Sequence, residues 1–285
     1  MLVALAALFW GLSGGIGAIL LAEGWGSFVV SFYRGFVGLL FVLVWLILRP
    51  GNSGLTKPRL WFWAAVAGLG VAGNFSFYFL SISEGSVAVA ATLMYCAPVF
   101  VFLVSFAIGL EQPTPFKCVA IVIVIVGIAL LTGIYDVGGS SITWVGVVAG
   151  LLSGLSYALF IFGFKFAARN GSPQAALVIA FAVLGIVLIW PASLVQVIAV
   201  LGAPEWPMFI ALGVLGGGVS FISYIVGLKH TVPTVAAVVA MVEPVTATLF
   251  GIVLLNESLG GVQFLGMGLI LVTVTALSVY SSKSQ

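Results

Sequence analysis

The residues most able to do chemistry are a few polar side chains set in long apolar stretches of the sequence. Asn74 and Tyr78 are four residues apart. Ser220 and Tyr224 repeat that spacing 146 residues later. Because residues four apart share one face of a helix, each pair would present a hydrogen-bonding group beside an aromatic ring. Such faces suit a cavity for an amphipathic small molecule, and they equally suit contacts that hold helices together.

Glu243 is the one acidic residue deep within an apolar stretch. A buried carboxylate without a partner is costly, so we expect Glu243 to be protonated, to face a cavity, or to be paired. It could bind the amino group of a substrate, couple to proton movement, or form a structural ion pair. Arg34 is a candidate partner, although its long side chain could instead reach the end of its own stretch.

Two prolines, Pro98 and Pro244, are also separated by 146 residues. Tyr95 and Met241 lie three residues before them. Proline leaves the carbonyl one turn earlier without its helical donor. A bend at such a point either lines a water-filled cavity or adjusts packing. The duplication favours a mechanical role, in which each bent helix opens and closes one mouth of a cavity lined by Tyr95 and Met241.

Trp10 and Tyr157 occupy nearly equivalent positions in the two halves of the chain. Trp10 is too deep in its stretch to be an obvious interfacial ring, so we predict that both side chains line the same cavity. The glycine triplet 216–218 is either a packing notch or a hinge.

These side chains must be positioned by membrane-spanning helices, because the 285 residues are 63% apolar and only 6% charged. A helix needs about 20 apolar residues to cross the hydrocarbon core. We therefore predict an all-α integral membrane protein with ten transmembrane helices joined by short loops. The predicted spans are residues 2–22, 27–48, 60–82, 86–110, 116–134, 142–164, 174–199, 206–228, 232–255 and 260–281.

Under this assignment, the basic residues of the loops all fall on one side of the membrane. One side carries the basic residues Arg49, Lys57, Arg59, Lys117, Lys165, Arg169, Lys229 and Lys283. The loops of the other side carry only Glu23, Glu84, Asp136, Glu205 and Glu257. The positive-inside rule then predicts that both termini are cytoplasmic.

The chain also repeats itself at the offset of 146 residues. Matched residues of the first half are Ala65, Leu69, Gly70, Phe75, Tyr78, Val89, Ala90, Ala91, Pro98, Val99, Leu103 and Glu111. Their counterparts are Ala211, Leu215, Gly216, Phe221, Tyr224, Val235, Ala236, Ala237, Pro244, Val245, Leu249 and Glu257. Because five spans separate the copies, residues 1–137 and 138–285 should form two inverted-topology five-helix repeats, joined by a flexible Thr132–Thr143 hinge. Such repeats place a substrate near the midplane and rock around it.

The sequence resembles the EamA family of the drug/metabolite transporter superfamily, and within it the bacterial aromatic amino acid exporters. The resemblance rests on Phe9-Trp10-Gly11, Arg34, Tyr95-Cys96-Ala97-Pro98, Glu111, Glu243-Pro244-Val245 and Glu257. It implies a ten-helix bundle in the bacterial inner membrane that exports small metabolites. Glu243 has Ala97 as its first-half counterpart, so the two halves are not chemically equivalent.

The expected function is therefore a secondary transporter of small amphipathic metabolites, with aromatic or large neutral amino acids as the leading substrates. Drug, nucleoside or sugar export is the alternative, and a membrane enzyme or scaffold is a third class. The sequence has no phosphate-binding loop, no metal-ligand cluster and no catalytic constellation. We expect no cofactor, no metal and no nucleic-acid partner. The partners are a small solute and the lipid bilayer, and the oligomeric state stays open.

Overall fold

The regular structure of the chain is helical throughout the part that the computed structural model describes, namely residues 1–51, 53–84, 87–136, 143–254 and 260–283. Fourteen α-helices lie within these ranges. They are α1 (Leu2–Ala22), α2 (Ser27–Leu48), α3 (Pro58–Ser83), α4 (Val87–Met94), α5 (Ala97–Ala107), α6 (Pro115–Thr132), α7 (Trp144–Asn170), α8 (Pro173–Leu188), α9 (Leu194–Ala199), α10 (Trp206–Gly213), α11 (Ser220–Lys229), α12 (Pro233–Val239), α13 (Val242–Leu254) and α14 (Gly261–Lys283). Two 3₁₀ turns (Ile134–Asp136 and Val200–Gly202) and a π-helical turn (Val214–Val219) complete the set.

Eight segments of the described chain are long and apolar enough to cross a membrane. Five of them are single helices: α1, α2, α3, α6 and α7. Three are composite, because α4 continues into α5, α10 into α11, and α12 into α13. The apolar helices over Pro173–Leu188 and Gly261–Leu277 are shorter. The predicted all-helical structure with long apolar helices is therefore confirmed for the described residues.

The predicted span 174–199 is wrong in its second half. The helix α8 ends at Leu188, a turn follows, and α9 is a separate short helix. Pro191 explains the stop, because it has no N–H for a helical hydrogen bond and restricts the residue before it. The side chains of Trp190 and Val195 are 85% and 79% exposed, as expected for residues beyond the packed bundle.

The helices of the two halves interleave in one bundle. The helix α3 packs along α7, and α1 packs on α11 and α13. The helix α2 packs against α8, and α6 against α14. A buried core of small and aromatic side chains runs through the bundle and includes Tyr224, Phe164 and Phe181, each almost fully buried. The interleaving brings polar residues from distant parts of the sequence together.

Charged side chains tie several helix ends together at the side of the predicted basic loops. Lys117 Nζ lies 2.7 Å from Glu111 Oε2, and the Glu111 side chain is only 3% exposed. The other Glu111 oxygen accepts a hydrogen bond from the Thr234 backbone N–H at 3.1 Å, at the start of α12. Lys165 Nζ donates to the Leu228 carbonyl at 2.6 Å. Glu111 therefore joins the end of one composite span to the beginning of another.

Two predictions from the sequence concern residues outside the described ranges. One is the placement of Glu257, the repeat counterpart of Glu111, in a loop of the side without basic residues. The middle of the Thr132–Thr143 hinge, residues 137–142, also lies outside, together with the boundary between residues 1–137 and 138–285. On the near side of that boundary, α6 ends at Thr132 and is followed by Gly133, which has a left-handed φ of 70°.

Candidate binding cavity

A small cavity lies where helices of both halves meet. Its volume is about 30 Å³, which is about the space that one water molecule occupies in the liquid. It is lined by Trp10, Arg34, Val71, Asn74, Phe75, Tyr157, Phe160, Phe221 and Glu243. These residues come from α1, α2, α3, α7, α11 and α13. An amino acid needs several times this volume, so binding one requires the helices to move apart.

The cavity carries two opposite charges. Glu243 stands in the first turn of α13 and keeps some accessible surface because it faces the cavity. Its charge interacts with that of Arg34, which projects from α2. Yet no Arg34 nitrogen lies within 4.0 Å of a Glu243 oxygen in the described structure. The two charges thus face one cavity without forming a direct ion pair.

Arg34 is held in place by neighbours on two sides. Its Nε donates to the Gly216 carbonyl at 3.2 Å. Its guanidinium carbon lies 5.4 Å from the centroid of the Phe75 ring, in the geometry of a cation–π contact. The alternative that Arg34 reaches the end of its helix therefore does not describe this conformation, because the side chain turns inward.

The glycine triplet 216–218 lies in the π-helical turn that holds Arg34. Here the Ser220 N–H donates to the Leu215 carbonyl, five residues earlier. A Cβ added to Gly38 would lie only 2.8 Å from Gly217 Cα, and one added to Gly217 would lie 3.0 Å from Gly38 Cα. The backbones of α2 and the π turn are therefore in direct contact. The triplet acts as a packing notch in this conformation, and π turns often mark functional sites.

Aromatic rings form much of the cavity wall. The Trp10 ring lies 5.0 Å from that of Phe221 and 4.9 Å from that of Tyr224, between ring centroids. The Tyr157 and Phe160 centroids are 4.5 Å apart. Aromatic pairs at these distances pack favourably. The wall offers an apolar aromatic surface next to the two charges.

Several polar atoms around this wall are buried without a hydrogen-bond partner among the described residues: Trp10 Nε1, Ser220 Oγ and Tyr224 OH. The Tyr157 hydroxyl lies beside the Glu243 carboxylate but does not reach hydrogen-bond geometry. Buried polar atoms are nearly always hydrogen-bonded in folded proteins. Their concentration here indicates a place where water or a solute supplies the missing partners.

Asn74 joins helices as well as lining the cavity. Its side-chain amide donates to the Ser153 carbonyl at 3.1 Å and to Ser153 Oγ at 3.0 Å. Ser153 Oγ in turn donates to the Asn74 backbone carbonyl at 2.9 Å. This reciprocal pair connects α3 to α7. Asn74 therefore holds two helices together, as considered from the sequence, and also lines the cavity.

We predict that Ser153→Ala lowers stability without changing solute preference. The substitution removes one member of the reciprocal pair, and such hydrogen bonds in membrane proteins contribute about 1 kcal/mol. Thermal unfolding in detergent measures the stability, and competition between solutes measures the preference. Ser83→Ala is a control, since Ser83 Oγ only bonds back to the Leu80 carbonyl on an exposed helix end. A changed preference in Ser153→Ala would show that this pair shapes the cavity itself.

The remaining predicted side chains lie around the cavity rather than in its lining. Tyr78 is half-buried, whereas Tyr95 is 8% exposed and Met241 is fully buried. The Glu243 charge interacts with both tyrosines. The structure thus gathers Tyr78 of α3, Tyr95 of the turn between α4 and α5, and Tyr157 of α7 around one carboxyl group.

Both composite spans with prolines are interrupted at matching positions. The α4–α5 span turns at Tyr95 and Cys96, and the α12–α13 span turns at Ala240 and Met241. Pro98 and Pro244 follow in the first turns of the second helices. A first-turn proline is compatible with a helix, because its missing N–H has no helical partner there. The interruptions occur where a bend was predicted, and the role of the prolines in gating stays a prediction.

Sequence reasoning did not single out some lining residues. Phe75 and Phe221 are counterparts in the repeat, and that correspondence could have identified them. Phe160 lies three residues after Tyr157, on the same helical face. Nothing in the local sequence distinguishes Val71 from other buried valines.

A larger groove of about 240 Å³ lies on the outer surface of α3 and α7. Its lining is formed by Phe77, Leu80, Trp144, Val145, Val148, Ala149 and Leu152. Trp144 is 79% exposed at this site. Because these side chains are all apolar, the groove has no group to orient a polar solute and matches the hydrocarbon environment of a lipid-facing surface.

The fold and the cavity together are those of a helical membrane transporter. Residues 1–133 and 144–279 both match the EamA-like transporter family. The chain belongs to that family, and the resemblance to the EamA family inferred from its motifs is confirmed.

Related proteins agree with this class. The chain is 31% identical over 246 residues to an "Uncharacterized transporter" of Archaeoglobus fulgidus, covering 86% of this chain and 84% of that protein. It is 26% identical over 272 residues to the "Uncharacterized inner membrane transporter YedA" of Escherichia coli strain K12, covering 90% and 83%. A protein of known crystal structure shares the fold with a TM-score of 0.73 at 18% identity, over 98% of both chains.

Proposed function

We propose that this protein is a secondary transporter that exports small amphipathic metabolites, with aromatic or large neutral amino acids as its leading substrates. The observation that carries the proposal is the cavity in which the Glu243 carboxylate faces a wall of aromatic rings. A carboxylate binds an ammonium group, and rings bind an apolar side chain. Amino acids with large side chains carry both features.

Alternating access between two inverted five-helix repeats is supported by the packing. The α3–α7 contact has its counterpart in the contact between α11 and α1. The contact of α1 with α13 likewise corresponds to that of α7 with α5. The α2–α8 and α6–α14 contacts each join equivalent helices of the two halves, so the relation maps each contact onto itself. A pseudo-two-fold relation between the halves would produce these paired contacts, and the predicted sidedness of the charged loops supports an inverted relation.

The small volume of the cavity supports a conformation in which the binding site is contracted. Motion at the interruptions near Tyr95 and Met241 would enlarge it, because turns replace the regular α-helical hydrogen bonding there. Pro98 and Pro244 would then act as the helix-bend residues of the two mouths. We place the protein in the bacterial inner membrane with both termini cytoplasmic, in line with the basic loops and the inner-membrane relative.

Counterflow in proteoliposomes tests the proposal. We expect vesicles loaded with unlabelled phenylalanine, tryptophan or leucine to accumulate the labelled amino acid transiently, because counterflow needs a carrier but no energy source. Repeating the assay with and without a pH gradient separates proton coupling from facilitated export.

The other function classes give different results in the same assay. Accumulation of nucleosides, sugars or cationic drugs but of no amino acid would assign the protein to the alternative class of exporter. A membrane enzyme or scaffold would move no solute under any gradient. Protein-free vesicles give the background.

A further inference from the structure

We propose that Arg34 is the carboxylate-binding residue of the cavity, so that Arg34 and Glu243 together recognise the two charges of a zwitterion. This inference rests on the proposed function and specifies its chemistry: the solute must carry a carboxylate and an ammonium group on neighbouring atoms. The sequence alone suggested Arg34 only as a structural partner of Glu243.

The guanidinium of Arg34 has donors left for a solute. An arginine side chain carries five N–H donors, and only the one on Nε has a protein acceptor in the described structure, the Gly216 carbonyl. The terminal nitrogens are not among the buried atoms without partners, and the residue lines the cavity. The fork of terminal N–H groups is therefore open to the cavity. A carboxylate matches such a fork with two parallel hydrogen bonds.

The separation of the two charges argues for a bridging group. A structural ion pair in a nonpolar interior gains most from direct contact. Arg34 and Glu243 have the cavity in common and no contact within 4.0 Å. An α-amino acid placed between them would satisfy both charges, its carboxylate on Arg34 and its ammonium on Glu243. Water molecules between the charges are the alternative.

The surroundings fix the direction of the Arg34 side chain before any solute binds. The Gly216 carbonyl holds Nε, and the Phe75 ring lies against the guanidinium. The direct backbone contact of Gly217 with Gly38 fixes the distance between the π turn and α2. Lysine could not keep this anchor and also present a two-pronged donor, because its ammonium is a single point charge. A preorganised donor loses less entropy on binding.

Phenylalanine and three analogues that each lack one of its two charges test the assignment. They are phenylalanine, its amide without the carboxylate charge, phenethylamine without the carboxyl group, and hydrocinnamate without the amino group. Binding to purified protein, measured by competition with labelled phenylalanine, should be weaker for each single-charge probe than for phenylalanine itself. Phenylalaninamide that binds wild-type protein as tightly as phenylalanine would overturn the proposal without any mutant.

Charge-removing variants then assign each subsite. We expect Arg34→Gln to weaken phenylalanine binding on the order of 100-fold, while phenethylamine binding changes little. Glu243→Gln should weaken phenylalanine and phenethylamine but spare hydrocinnamate. Arg34→Lys should restore only part of the loss. Thermal unfolding of each variant shows whether it is folded. If a variant does not fold, the comparison of the four probes on wild-type protein still tests the proposal.

A matched arginine provides the control. Arg169 also lies 5.4 Å from a phenylalanine ring, that of Phe166, but it is not in the cavity lining. Arg169→Gln should leave the order of the four probes unchanged. Equal loss of phenylalanine and phenethylamine in Arg34→Gln would mean that Arg34 only supports Glu243, and the inference would fall while the proposed function stands. Wild-type protein that binds and moves no amino acid would overturn the proposed function as well.

Discussion

Replacing Glu243 by Gln should reduce amino acid flux in proteoliposomes about 100-fold while leaving folded protein in the membrane. The substitution keeps the shape of the side chain and removes its charge. A neutral amide is a poorer partner for a substrate ammonium, and losing one half of a desolvated charge pair costs about 2–5 kcal/mol. Flux of labelled phenylalanine, corrected for the amount of reconstituted protein, is the measurement.

The control for Glu243 is an acidic residue outside the cavity. Glu205 precedes α10 and forms no side-chain cap there, so Glu205→Gln should retain wild-type flux. The role of Glu243 follows from how its variant fails. Lost binding indicates substrate recognition, whereas normal counterflow that no longer responds to a pH gradient indicates proton coupling. Unchanged flux in every condition would make Glu243 structural.

Gly217→Ala should be the most damaging small substitution near the cavity. A Cβ at this position would overlap the Arg34 carbonyl and lie 3.0 Å from Gly38 Cα. Both obstacles are backbone atoms that cannot rotate away, so α2 and the π turn must separate. Overpacking of this kind costs about 1–3 kcal/mol. The same separation moves Arg34, so solute binding should weaken together with stability in thermal unfolding and binding assays.

Gly185→Ala is the matched control for Gly217→Ala. No heavy atom lies within 4 Å of a Cβ at Gly185, which is also in a helix. Alanine favours a helix over glycine by about 1 kcal/mol, so this control should keep or raise stability. If Gly217→Ala unfolds at the wild-type temperature and binds normally, then the notch does not position Arg34.

Hydropathy predicted the helices well where a single apolar run fills one helix. The predicted spans 2–22 and 27–48 coincide with α1 and α2. Hydropathy failed at 174–199, because an apolar composition continues through Pro191 although the helix cannot. Average hydrophobicity does not register a missing backbone donor.

The candidate site was predictable in part. Trp10, Asn74, Tyr157 and Glu243 were selected as polar or amphipathic residues in apolar spans, and all four line the cavity. Polarity stands out in such spans, because a buried polar group needs a partner. Ser220 and Tyr224 carry unpartnered polar atoms next to this lining. Phe160 was missed, since its ring resembles every other apolar side chain of the bundle until the helices are packed.

The sequence by itself determined that this protein is a helical membrane protein of a transporter family. In a bilayer every backbone group must find its hydrogen bond within the protein, so long apolar runs have to become helices. The tertiary structure decided which faces of those helices meet. Arg34 turns inward because the glycine notch brings the Gly216 carbonyl within 3.2 Å of its Nε, and Tyr78 lies outside the cavity lining that its spacing had suggested. Helical periodicity defines a face, but only packing against other helices determines what that face contacts.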